Sequence, residues 1–183
     1  MKLARVLLLI TMAAPLIAQT WDTSGNGMLN GKYYFRHVLY QLSNAGTGAL
    51  YDEVSLYGTV TFNGTTPGTY TMSATEVDVQ AQQMGSGTVS GTYSIASSGQ
   101  GFLSNPLSTG DSIYGLVNAQ GIFVGSSTEN LNGYNDVFIA APLASPAPTT
   151  STFKGSYSLA YMDLSSGNPL YTVGAMQIGR AHV

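Results

Sequence analysis

The chain has no cysteine, and Asp, Glu, Lys and Arg together supply only 8% of its 183 residues. Without thiols there are no disulfides, no Cys-based zinc or redox centre and no thiol nucleophile. The fold must therefore be held by its core alone. Basic residues are scarcest. Setting aside Lys2, Arg5 and Arg180, which fall in end segments treated below, Lys32, Arg36 and Lys154 face nine acidic residues, a net charge of −6. A nucleic-acid binder needs a basic footprint for phosphate, and this chain offers none. Helical periodicity is missing throughout. So is any apolar run near the roughly 20 residues of a membrane-spanning helix.

What is present is tyrosine, glycine and hydroxyl residues: 12 Tyr, 6 Phe and 22 Gly, with hydrophobic residues at 44%. Disorder pairs low hydrophobicity with high net charge, which is not this pattern. The composition suits a β-protein of short strands and many turns.

Both ends are set apart from the folded unit. Residues 1–18 have a positive start (Lys2, Arg5), a short apolar stretch (6–12) and a small residue at Ala18, the three parts of a secretory signal peptide. Export to the medium or the cell surface is the expectation. Residues 178–183 (Ile-Gly-Arg-Ala-His-Val) back-translate to a sequence resembling a common sequencing adapter, so Arg180 and His182 enter no site argument.

The chain also begins a second copy of itself. Gly31 and Tyr33 align with Gly155 and Tyr157, an offset of 124 residues, and Leu42-Ser43 and Leu50-Tyr51 are echoed by Leu164-Ser165 and Leu170-Tyr171. The expected organisation is a signal peptide (1–18), a flexible lead-in (19–28) and a β-rich module (29–143). A Pro/Thr/Ser linker (144–151) and the truncated start of a second module (152–177) follow. A 115-residue module is long enough to bury a core unaided. The linker's prolines make it a semi-rigid spacer.

Within the module, period-two alternation predicts strands. Tyr33, Phe35, His37 and Leu39 share one face, as do Leu56, Val60 and Phe62, then Tyr70, Met72 and Ala74, then Val89, Tyr93 and Ile95. A short strand at Phe102-Leu103, a hairpin over 112–117 and 121–126, and an apolar strand over 136–141 bring the number to eight. The expected fold is all-β: an antiparallel up-and-down meander closing into a barrel of about eight strands. A β-sandwich is the alternative. Gly58, Gly91 and Gly115 are expected to mark places where the sheet bends sharply.

Candidate chemistry is sparse. His37 is the one histidine between residues 19 and 177; its alternation with Phe35 and Leu39 makes it a structural core residue rather than a triad member, and no Gly-x-Ser-x-Gly elbow accompanies it. Glu76 and Asp78 share a strand face and could act as the paired carboxylates of a glycosidase, but solvated strand-edge charges explain them better. Asp52-Glu53 reads as an exposed turn and residues 80–87 as a polar connection. Asp22, Ser24 and Asn26 imitate half a calcium loop, but Tyr33 stands where the bidentate glutamate belongs. Asn63-Gly-Thr65 is a glycosylation sequon. No catalytic, cofactor or metal residue is assigned.

Residues 29–40 (Leu-Asn-Gly-Lys-Tyr-Tyr-Phe-Arg-His-Val-Leu-Tyr), with Gly91-Thr-Tyr-Ser-Ile95, Gly101-Phe-Leu-Ser-Asn-Pro106, Ile113-Tyr-Gly-Leu116 and residues 121–130, resemble the N-terminal region of exported β-rich repeat proteins of soil bacteria. The resemblance covers most of residues 29–179. It implies export, modularity and truncation, and brings no activity or site residue. The functional expectation is a non-catalytic extracellular module with a structural, adhesive or binding role. Its partners would be a cell surface, a polysaccharide, a protein or neighbouring modules. Carbohydrate or small apolar ligand binding in the barrel is the alternative, and a carbohydrate hydrolase a remote one.

Overall fold

The computed structural model describes residues 21–44, 49–127, 134–149, 156–163 and 175–182. The segment expected as a signal peptide (1–18) and parts of the expected linker and second module lie outside them. Eight antiparallel strands follow one another around a closed barrel: β1 (Asn30–Asn44), β2 (Ala49–Asn63), β3 (Gly68–Asp78), β4 (Gln83–Ile95), β5 (Gln100–Ser104), β6 (Ser112–Val117), β7 (Phe123–Ser126) and β8 (Tyr134–Pro142). Nine residue pairs from Tyr33↔Pro142 to Gln41↔Tyr134 join β8 to β1, and this closure excludes the sandwich. Strands β9 (Ser156–Asp163) and β10 (Ala175–His182) pair in a separate two-stranded sheet. No helix among the described residues is long and apolar enough to cross a membrane.

Alternation sets the two faces. Inward come Tyr33, Phe35, His37 and Leu39 from β1 and Leu56, Val60 and Phe62 from β2, joined by Met72, Ile95, Leu103, Ile113, Phe123 and Phe138. The rings interlock: Phe62 meets Tyr33 edge-on at 5.1 Å and Tyr93 at 5.3 Å, and Phe35 stacks on Phe138 at 5.6 Å. Outward, β3 and β4 carry Thr69, Thr71, Ser73, Thr75, Ser90 and Thr92, with hydroxyl pairs across the ladder at Thr71–Ser90 and Thr75–Ser86. The outer face changes character around the wall, for β6 to β8 carry exposed Leu116, Val124, Val137 and Ile139 there.

Two glycines make room for this filling. A Cβ on Gly115 would come within 2.8 Å of Phe123 Cζ, and one on Gly91 would collide with the Tyr70 ring. The Tyr70 hydroxyl thereby reaches the Ser104 carbonyl at 2.7 Å, tying β3 to the far end of β5.

The barrel is lopsided. β1 to β4 run 15, 15, 11 and 13 residues, whereas β5 to β7 run only 5, 6 and 4. β4 meets β5 only over Tyr93–Ile95, so residues 83–88 pair with β3 and overhang the mouth. Residues 83–87, expected as part of a connection, are therefore strand. They lie exposed, so no core imposes apolar alternation on them. Asp52-Glu53 likewise belongs to β2 and not to an exposed turn. Asp52 is buried, and its Oδ1 accepts the N–H groups of Glu53 and Gln80.

The lead-in also differs from expectation. From Trp21 it is fastened to the barrel, and a single 3₁₀ turn (Asn26–Met28) closes the end opposite the overhang. Asn26 is buried; its Oδ1 accepts Ile95 N–H at 2.8 Å and its Nδ2 donates to Thr65 O at 3.0 Å. Tyr93 Oη accepts Gly64 N–H and lies within 3.2 Å of the Asn26 and Leu29 carbonyls and Asn63 Oδ1, one of which takes its proton. Burial pushes this phenol's pKa up, against the lowering effect of the Gly64 bond. These tertiary hydrogen bonds order a Ser/Gly/Asn segment whose composition alone reads as loose.

Candidate functional site

Three places hold the polar and aromatic side chains from which function could be built. The first lies inside the barrel. His37 on β1 and Asp136 on β8 are both fully enclosed, with Nε2 to Oδ2 at 2.7 Å. Barrel closure brings them together across 99 residues of sequence. The other carboxylate oxygen accepts Ser127 N–H at 2.5 Å and the Ser126 hydroxyl at 3.2 Å. Burial alone would raise the Asp136 pKa; the hydrogen bonds from His37 and Ser127, with the His37 charge, outweigh it and hold the pKa below the ordinary value. Asn105 extends the network, donating to Ser127 Oγ, and its N–H meets the carbonyl of Asp111, whose carboxylate accepts the Tyr134 hydroxyl.

This order of groups decides the chemistry. In a hydrolytic triad the imidazole stands between hydroxyl and carboxylate and takes the hydroxyl proton. Here the carboxylate stands between the serines and the imidazole. Among the described residues His37 Nδ1 has no hydrogen-bond partner, and it is enclosed. The T-shaped Phe138 ring packs on the imidazole at 5.5 Å. The arrangement ties β1 to β8 and anchors the segment after β7.

The second place is the overhanging mouth. Glu76 faces a recess of about 200 Å³ that includes Leu56, Ala74, Gly85 and Val89. Glu76 and Asp78 alternate on one face of β3, but β3 is an interior strand of the wall, flanked by β2 and β4, and not an edge. Asp78 Oδ1 caps the β3–β4 turn by accepting Ala81 N–H at 2.7 Å. The carboxylate pair is thus split between an exposed acid and a turn cap.

The third place was not legible in the sequence. On the outer wall, Trp21 lies against Phe102 of β5 (ring centroids 4.7 Å) and Tyr114 of β6 (6.0 Å). Beside them opens a cleft of about 480 Å³ bordered by Trp21, Asp22, Ser94, Gln100 and Tyr114, with backbone at Gly101 and Gly115. The cleft's N-terminal side is pinned: Ser94 Oγ donates to Asp22 O, Ser97 N–H to Ser24 Oγ, and Gly25 N–H to Ile95 O. Hydrogen bonds from the Ser24 hydroxyl and N–H hold the exposed Asp22 carboxyl below its ordinary pKa. The outward alternation of Phe102 and Tyr114 was the available signal, but nothing local placed Trp21 over them.

The remaining motifs serve the fold. Asn26 spends both ends of its amide on the barrel and Asp22 Oδ1 accepts Ser24 N–H, so the calcium-like spacing gathers no ligand set. Among the described residues no cluster of three or more His, Asp or Glu converges as for a metal. Asn63 of the sequon accepts N–H bonds from Thr65 and Thr69 and donates to Pro67 O, which shapes the β2–β3 turn. No protein-family model, curated protein or solved structure matches this chain.

Proposed function

We propose that this chain is a non-catalytic, exported β module whose role is adhesion or binding through its outer wall. Secretion or display at the cell surface follows from the signal-peptide reading, and a tandem-repeat organisation from the likeness of residues 153–171 to residues 29–51. The observation that carries the reading is the filling of the barrel. Phe35, Phe62, Phe123 and Phe138 are enclosed within it, and the ionisable pair beside them is fully buried, with its carboxylate, not its imidazole, against the serine hydroxyl. What remains open to a partner is the exterior, where Trp21 is 44% exposed beside a fixed cleft. The test is co-sedimentation of the purified chain with insoluble polysaccharides and cell-wall preparations, run beside hydrolysis assays on chromogenic glycosides and esters. Pelleting without turnover is expected. Turnover abolished by Glu76→Gln or His37→Ala would replace this reading with an enzymatic one.

A second reading, binding of a small apolar ligand in the barrel, is favoured by the mouth recess lined by Leu56, Ala74 and Val89. At about 200 Å³ it falls short of the ~300–1,000 Å³ of common ligand pockets.

A further inference from the structure

We infer that the outer-wall cleft at Trp21 binds the pyranose rings of a neutral glycan. The inference rests on the binding-module reading and names its ligand class. Sugars present an apolar C–H face and a rim of hydroxyls, so a site for them needs an exposed aromatic plane bordered by donors and acceptors. The cleft has both. Trp21 supplies the plane, backed by Phe102 and Tyr114 within 4.7–6.0 Å, which fix the indole against the wall. Tyr and Trp are suited to this because one side chain offers a large apolar face and a polar tip at low entropic cost.

The rim has the matching polarity. Asp22 provides a carboxylate acceptor, and the exposed Gln100 amide provides both donor and acceptor. No basic residue borders the cleft among the described residues. A uronic-acid or phosphorylated ligand would bring its anion beside the Asp22 carboxylate with nothing to compensate it, so the ligand is uncharged. Pre-organisation comes from the four lead-in hydrogen bonds around residues 22–25, which hold Trp21 in place before any ligand arrives.

Trp21 is the single tryptophan of the chain, which makes its fluorescence a reporter confined to the site. The experiment titrates the full chain with cellohexaose, xylohexaose and chitohexaose, and with hexagalacturonate as the anionic counterpart. A saturable emission change with at least one neutral oligosaccharide, and a response at least about tenfold weaker to hexagalacturonate, is expected. Asp22→Ala with Gln100→Ala, which together keep the fluorophore, should move the midpoint about tenfold or more. Trp21→Ala should abolish binding by calorimetry while the far-ultraviolet circular dichroism stays that of the parent. No response to any neutral oligosaccharide overturns the inference. So does calorimetric binding that survives Trp21→Ala; in that case the binding-module reading stands and only this site falls. If the chain pellets with cell walls but responds to no glycan, the ligand class is wrong and the module reading again survives.

Discussion

Removing the His37 imidazole should be among the costliest single polar changes in the barrel. His37 and Asp136 are fully enclosed and 2.7 Å apart, so His37→Ala leaves a carboxylate in the core with one charge-assisted bond lost. Breaking a buried pair from one side costs about 3–5 kcal/mol, because the survivor stays desolvated without its partner. The vacated ring also leaves space beside Phe138, adding to that cost. At about 3–4 °C per kcal/mol for a domain of this size, the thermal midpoint should fall by about 10–20 °C. His37→Leu with Asp136→Leu should be milder than either single change, since no unpaired charge remains. It should not be neutral, because Ser127 N–H then loses its acceptor at about 1–3 kcal/mol. Urea denaturation of the parent, His37→Leu, Asp136→Leu and the double variant completes a double-mutant cycle. A loss under 1 kcal/mol for His37→Ala would refute the reasoning and mean that the pair does not hold β1 to β8.

Acid should weaken the fold through Asp136. Its folded-state pKa lies below the ordinary value of 3.8, so the unfolded chain takes up the proton first as pH falls. The stabilisation is present above the ordinary carboxylate range and is lost as pH drops through it toward the folded value, and Asp136→Asn should flatten that slope in denaturation measured between pH 6 and 2. Gly115→Ala should cost about 1–3 kcal/mol, because the new methyl meets the Phe123 ring and neighbouring strand backbone; a neutral result in urea melts would contradict the tight filling. Asn26→Ala leaves Ile95 N–H and Thr65 O without their partner, about 1–3 kcal/mol, and should free the lead-in so that Trp21 emission shifts to the red. An unchanged spectrum would show that Trp21 is held by other means.

Where the two faces of the wall differ in burial, the strands could be read directly from residues. Tyr33/Phe35/His37/Leu39 and Leu56/Val60/Phe62 alternate because one side meets the core, and those segments are strand. The distal parts of β2 and β4 escaped because alternation is written only where a core enforces it. Residues 83–88 overhang in solvent, and Asp52 is buried through backbone hydrogen bonds that no pattern announces. Closure was one of two options in the sequence; the β1–β8 ladder decides it. His37 was legible as a core residue, but its partner was not, since only closure sets Asp136 beside it. The Trp21 cleft joins a segment that reads as loose to two outward aromatics, Phe102 and Tyr114, far along the chain. Its position depends on Ser94, Ser97 and Ile95 holding the chain down, a tertiary effect without a local signature.

The measurement that goes most directly to the central claim, that recognition occurs on the outer wall and not inside the barrel, is a residue-resolved nuclear magnetic resonance titration with the neutral oligosaccharide that responds best. The account predicts shifts concentrated at residues 21–25, 94–102 and 114–115, with Phe35, His37 and Phe138 unmoved. Shifts centred on Leu56, Glu76 and Val89, or on the interior rings, would contradict it and move the site to the barrel mouth.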